Sequence, residues 1–132
     1  ELAIEVIHLF LTNSYWSFGI SKEIVTKSID NSLCFGVFTS VNEQIGFARI
    51  ISDYATFAYL ADVFILEPHR GKGLSKWLLQ TIIKHPDLQG LRRIVLATKD
   101  AHTLYEKFGF TKLRHAEMFM ENLNSDVYKN KY

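Results

Sequence analysis

The sequence predicts a single α+β domain over residues 1–132, built in three layers as a mixed, mostly antiparallel sheet flanked by helices. Between residues 33 and 66, three runs rich in β-branched and aromatic residues follow one another with short turns between them, as in an antiparallel meander. A strand–helix–strand unit comes next, and such a unit places its two strands parallel. Amphipathic helical stripes before and after the meander supply the covering layers.

Taken in order, Ile7, Phe10, Leu11 and Ser14 fall at helical spacing, and Tyr15-Trp16 follow before a break at Gly19. Ser21 reads as the N-cap of a second short helix, with Glu23 in its first turn and Ile24, Val25, Ser28 and Ile29 on one face. Strands are predicted over Leu33 to Thr39, Gln44 to Ile51 and Phe57 to Leu66, with turns at Ser40 to Glu43 and at Asp53-Tyr54. The third run is apolar on both faces apart from Asp62, as suits a strand deep in a covered sheet. Leu74, Trp77, Leu78, Thr81 and Ile82 form a helical stripe that ends before Pro86, and another buried strand follows at Leu91 to Thr98. Asp100 is placed to cap a short helix carrying Ala101, Leu104, Tyr105 and Phe108, which Gly109 stops. Phe110 to Leu113 and Glu117 to Met120 read as closing strands.

Composition excludes several classes. A formal net charge of +1 leaves no strongly basic face for nucleic acid, so any anion site must be local. The single cysteine, Cys34, rules out an internal disulfide framework and suits a reducing compartment. No stretch is apolar for the ~18 residues a membrane span requires, and Glu1 and Glu5 stand where a signal peptide carries positive charge. These features point to a cytoplasmic protein without nucleic-acid or membrane partners, and no metal-ligating pattern stands out.

The informative junction is Val63-Phe64-Ile65-Leu66-Glu67-Pro68-His69-Arg70-Gly71-Lys72-Gly73-Leu74-Ser75. Here a buried strand enters a turn with two glycines and then an amphipathic helix. A helix N-terminus presents unpaired N–H groups and the positive end of its dipole to a phosphate, and glycine lets backbone approach closely. Arg70, Lys72 and Lys76 add positive charge. The spacing is neither that of a P-loop nor that of a dinucleotide fingerprint. A plain tight turn with solvated basic residues fits these residues too.

The stretch from Arg70 to Ser75 resembles the acetyl-CoA signature of the GNAT superfamily of N-acetyltransferases, Gln/Arg-x-x-Gly-x-Gly/Ala, with Ser75 departing at the last small position. Ala101-His102-Thr103-Leu104-Tyr105-Glu106-Lys107-Phe108-Gly109-Phe110 resembles the second family motif, Ala-x-x-Leu-Tyr-x-x-x-Gly-Phe. The two stand in the family's order and spacing. The resemblance implies the acyl-CoA N-acyltransferase fold, acetyl-CoA as cosubstrate, and direct transfer of the acetyl group to a primary amine of a small molecule or peptide. A catalytically silent acyl-CoA-binding module is the alternative. By position, Val63, Phe64 and Ile65 would pair with the pantetheine arm, and Gly71, Lys72, Gly73, Leu74, Ser75 and Lys76 would hold the pyrophosphate beside Arg70. Thr98 stands where the family often has Asn, and its hydroxyl would reach the same arm. Homodimers are common in the family, though no residue here specifies an interface.

Tyr105 matches the family's general acid, which protonates the departing thiolate; packing beside Phe108 is the competing reading. Asp62, the only charge in its run, is a candidate proton acceptor through water, or else a hydrogen-bond partner for backbone amides where strands separate. His69, His102 and His115 are further candidates. Tyr15 and Trp16, with Phe10, come from the region that shapes the acceptor pocket, unless they simply pack helix against sheet. Met118, Phe119 and Met120 would border that pocket or join the core.

Overall fold

The computed structural model describes residues 1–128. Two helices lead, α1 (Ile4–Thr12) and α2 (Lys22–Asp30). A meander of β1 (Leu33–Phe38), β2 (Gln44–Ser52) and β3 (Phe57–Ile65) follows, then α3 (Leu74–Ile83), β4 (Arg93–Leu96) and α4 (His102–Glu106). The sheet has the order β1-β2-β3-β4, with β1–β2 and β2–β3 antiparallel and β3–β4 parallel.

Local signals explain most boundaries. Ser21 caps α2 by accepting a 3.2 Å hydrogen bond from the Ile24 amide. Between β2 and β3, Asp53 gathers hydrogen bonds from the amides of Ala55, Thr56 and Phe57 and from the Thr56 hydroxyl. These bonds, from Thr56 above all, hold the Asp53 carboxyl well below the usual carboxylate range.

The sheet separates two apolar layers. On one face Ile7, Leu11, Ile20 and Val25 of the leading helices and their connection pack on Phe47 and Phe64, which are paired across β2 and β3. On the other, Leu78, Leu79 and Ile82 of α3 and Tyr105 of α4 cover Ala48, Ile50, Ala58 and Leu60. Phe47, Ile7, Leu11, Ile50, Leu79, Ile82 and Val25 are the largest fully buried side chains, so the interior spans both faces of β2.

Five expectations need correction. The strand expected over Leu91 to Thr98 is only Arg93–Leu96, because it finds a partner in β3 only as far as Leu60. Trp77 is exposed rather than part of the apolar stripe of α3. The N-cap of α4 is Ala101 rather than Asp100, and no side chain caps the helix; the Thr98 hydroxyl accepts from the Ala101 amide at 3.1 Å. The closing strands at Phe110 to Leu113 and Glu117 to Met120 do not form, and a 3-10 turn occupies Ala116–Met118. Thr111, Lys112, Arg114 and His115 leave too little apolar surface in that stretch to bury a strand face. Met118 and Met120 are 74% and 96% exposed, so they belong neither to the core nor to a pocket, while Phe119 packs under the Arg93 guanidinium.

Candidate active site

The site follows from one irregularity in the sheet. β3 and β4 pair only from Phe57–Arg93 to Leu60–Leu96, yet β3 runs on to Ile65. Beyond Leu60 the β4-facing edge of β3 therefore borders an opening instead of a strand. A cleft of about 800 Å³ fills it, lined by residues 61–65 of β3, residues 96–101 after and at the end of β4, and by Arg70, Ser75 and Tyr105. Phe10, Tyr15 and Trp16 close one end. A hollow of about 200 Å³ adjoins the cleft over the start of α3, and the two share Ile65, Arg70, Ser75 and Leu104.

The divergence coincides with a β-bulge. Phe47 opposes Phe64 and Arg49 opposes Ala61, so Asp62 and Val63 together stand against Ala48. Asp62 takes a left-handed φ of 56°, which for a residue with a side chain costs on the order of 1 kcal/mol. Its carboxylate repays this with two hydrogen bonds. One oxygen accepts from Arg49 Nε at 2.8 Å, the other from Trp16 Nε1 at 2.8 Å. With side-chain exposures of 7% for Asp62 and 16% for Arg49, this ion pair lies largely out of water, where such a pair holds only with further hydrogen bonds. Arg49 receives one, donating through Nη1 to the Ser32 hydroxyl at 3.2 Å. The partners of Asp62 are thus side chains, not the backbone amides of the competing expectation.

The glycine turn has a geometry that suits an anion. Gly71 and Gly73 have φ of 81° and 79°, the left-handed region that side chains disfavour, and a Cβ at either position would meet no atom within 4 Å. Gly73 ends the turn as the N-cap of α3 without a side-chain cap. The first backbone bond of the helix runs from the Trp77 amide to the Gly73 carbonyl at 3.1 Å. Among the described residues, nothing accepts a hydrogen bond from the amides of Gly71 to Lys76. A row of free N–H groups at a helix N-terminus, over open space, is what a pyrophosphate requires. Arg70 bridges this end to β3 by donating from Nε to the Ile65 carbonyl at 2.8 Å. Leu74, Ser75, Lys76 and His69 line the hollow; Lys72 lines neither space.

Tyr105 stands across the cleft from β3. Its ring is buried at 8% exposure and meets Phe110 edge-on at 5.8 Å. Its hydroxyl has no hydrogen-bond partner among the described residues and is not sealed from solvent, so it opens on the cleft. Burial, and to a lesser extent Tyr15, pushes its phenol above the ordinary tyrosine value. Thr98 lines the same wall with its hydroxyl engaged by Ala101. Of the histidines, only His69 borders either space; His102 is exposed and His115 faces Glu117 at 3.4 Å. Cys34 lies outside both spaces, and burial pushes its thiol up.

The structure gathers Asp62, Val63 to Ile65, Arg70, Ser75, Thr98, Tyr105, Tyr15 and Trp16 in one cleft, together with Arg49, Tyr59 and Lys99, which the sequence reading does not single out. A signal for Arg49 exists: it is the lone charge in its strand, as Asp62 is in the next, and the signs are opposite. Among the described residues, no group of three His, Cys, Asp or Glu is arranged to hold a metal, and no helix is long and apolar enough to cross a membrane.

Residues 3–110 match the model of the Acetyltransferase (GNAT) family. The chain is 32% identical to a Gibberella zeae protein described as a candidate acetyltransferase, with 80% of this chain and 71% of that protein covered. It is 49% identical to a candidate acetyltransferase of the GNAT family from Xanthomonas campestris pv. campestris, whose crystal structure superposes with a TM-score of 0.94 over 98% of this chain and 91% of that one. At 20% identity, a GNAT family acetyltransferase from Elizabethkingia anophelis, crystallised with acetyl-CoA bound, shares the fold with a TM-score of 0.59 over 76% of this chain and 65% of its own. The chain belongs to the GNAT acetyltransferase family.

Proposed function

We propose that this protein is an acetyl-CoA-dependent N-acetyltransferase that moves the acetyl group directly from CoA to a primary amine of a small molecule or peptide, as a single cytoplasmic domain. The observation that carries this reading is the row of unengaged amides from Gly71 to Lys76, joined by one continuous opening to the freed edge of β3 and the Tyr105 hydroxyl. In this reading the cradle and Arg70 hold the pyrophosphate. The freed edge of Val63 to Ile65 pairs with the amides of the pantetheine arm. Backbone N–H groups near the bulge meet the charge that develops on the thioester oxygen, a contribution of ~3 kcal/mol per donor in comparable sites.

Tyr105 protonates the departing thiolate. A phenol near pKa ~10 giving its proton to a thiolate near ~8.5 goes uphill by roughly 2 kcal/mol, a small share of an enzymatic barrier. Its elevated pKa keeps the hydroxyl protonated across the physiological range. An acceptor amine of pKa ~10.4 needs about 4.6 kcal/mol to become neutral at pH 7. In this reading that proton passes to solvent.

The test is thermal unfolding with acetyl-CoA, compared with ATP and NAD at equal concentration. Ligand at ~100 times its dissociation constant adds about 2.7 kcal/mol, roughly 10 °C for a domain of this size. A shift confined to acetyl-CoA and CoA, followed by thiol release with one member of an amine panel, is the expected result. The same shift without thiol release from any amine would make the protein an acyl-CoA-binding module. No shift would remove the cradle from the function.

A further inference from the structure

Tyr15 and Trp16 are neighbours in the α1–α2 connection, yet they are tied to opposite walls of the cleft. Trp16 donates its indole N–H to Asp62 on β3 at 2.8 Å. Tyr15 accepts through its hydroxyl from the Lys99 amide, in the segment that follows β4, at 3.1 Å. The Lys99 ammonium also lies 5.4 Å from the centre of the Tyr15 ring. The two rings brace each other edge-on at 5.1 Å. Behind the Trp16 anchor stands the chain of contacts from Asp62 to Arg49 to Ser32. Phe10 supports the span from below, 6.1 Å from Trp16 and stacked on Phe64 at 4.0 Å.

We infer that the Tyr15-Trp16 pair is a strap across the diverging strands, and that Asp62 is a positioning residue that holds Trp16 rather than the group that takes the proton from the amine. This rests on the acetyltransferase reading, because it places the strap at the acceptor end, opposite the glycine cradle. Both oxygens of Asp62 already accept a hydrogen bond, and the donors fix the carboxylate in its bulge. The strap limits the width of the acceptor entrance and keeps bulk water from the thioester. Its aromatic faces and flanking cation select an amine carried on a planar or apolar body rather than a small, highly charged one.

The test needs no acceptor. Trp77 is exposed on α3 and lines neither space, so Trp77→Phe leaves Trp16 as the only indole. In that background acrylamide quenching of Trp16 is measured for the parent, for Asp62→Ala and for Tyr15→Phe. Release of the strap takes Trp16 from 39% exposure toward full exposure, so quenching is expected to rise by up to about 2.5-fold. Tyr15→Phe removes one exposed hydroxyl and keeps the ring, which leaves a folded variant to read if Asp62→Ala fails to fold. In parallel, acetyl-CoA loss is followed with no amine present. Water adds to the thioester carbonyl, the carbon–sulfur bond breaks, and acetate and CoA thiol leave. An open strap admits water, so this rate is expected to rise several-fold in both variants. Unchanged quenching in folded protein, or hydrolysis that stays level or falls in Asp62→Ala, would overturn the strap and return Asp62 to the role of proton acceptor. The acetyl-CoA thermal shift, measured on the same samples, separates the two failures. Its absence in the parent defeats the acetyltransferase reading, whereas its presence beside unchanged quenching defeats only the strap.

Discussion

Replacing Gly71 by alanine separates what the glycine turn does for the fold from what it does for a ligand. Gly71 sits at φ 81°, where a side chain costs on the order of 1–2 kcal/mol of backbone strain. No atom lies within 4 Å of the Cβ that would be added, so no steric term comes on top in the free protein. For 132 residues, a loss of about 1 kcal/mol lowers the melting temperature by roughly 4 °C. Ligand binding is hit differently. In the proposed reading a pyrophosphate oxygen approaches the free amides through the empty space at Gly71, and a methyl group there would hold the anion off by more than a hydrogen bond tolerates. A hundredfold loss of affinity is expected. At an acetyl-CoA concentration of ~100 times the parental dissociation constant, stabilisation then falls from about 2.7 to about 0.4 kcal/mol. The assay is a pair of melting curves, with and without acetyl-CoA, for parent and variant. The expected result is a free variant a few degrees below the parent and a ligand shift cut from roughly 10 °C to under about 2 °C. A Gly71→Ala protein that melts lower but keeps the full acetyl-CoA shift would refute the reasoning, because the cradle would then be a structural turn only.

Tyr105→Phe removes a hydroxyl with no partner among the described residues, so the melting temperature should barely move, while turnover falls by about 10²–10³-fold with the acetyl-CoA shift retained. The basic limb that Tyr105 contributes to the rate profile should lie above pH 10, since burial raises its phenol; a loss of activity assigned to it near pH 8 would exclude it as the acid. Asp53 has the opposite sign: its folded pKa is depressed, so its stabilising effect is present above the unfolded value of ~3.9 and is lost as pH falls through the folded one. Asp53→Asn should lower the melting temperature at pH 7 and flatten its fall on acidification below about pH 4; an unchanged acid slope would mean that the turn does not depend on the carboxylate.

The features legible in the sequence are those that a few neighbouring residues decide. The Ser21 cap, the turn at Asp53 and the strand-to-helix turn at Gly71 and Gly73 each rest on hydrogen bonds or dihedrals within about five residues. The element order as far as α4 follows from them and from apolar periodicity. The two closing strands do not form because a few apolar residues do not by themselves create a partner, and Arg93–Leu96 offers an outer edge that Phe110 to Leu113 does not take up. The bulge was invisible for a related reason. Nothing in Ala61-Asp62-Val63 signals an extra residue; it appears only when β3 is set in register against β2.

That register is what gives the lone charges their meaning. Arg49 opposes Ala61, the residue before Asp62, so two charges that look misplaced in apolar strands meet where the β2–β3 ladder shifts register. The left-handed Asp62 needs the guanidinium to be held there, and the guanidinium needs the carboxylate to be buried at all. Just past this point β3 and β4 are no longer paired, and the edge of β3 borders the cleft. Fold and site are therefore joined through one ion pair. Arg49 shares its face of β2 with Phe47, so a substitution that removes either partner should disturb the cleft and the layer under the leading helices before it disturbs the layer under α3.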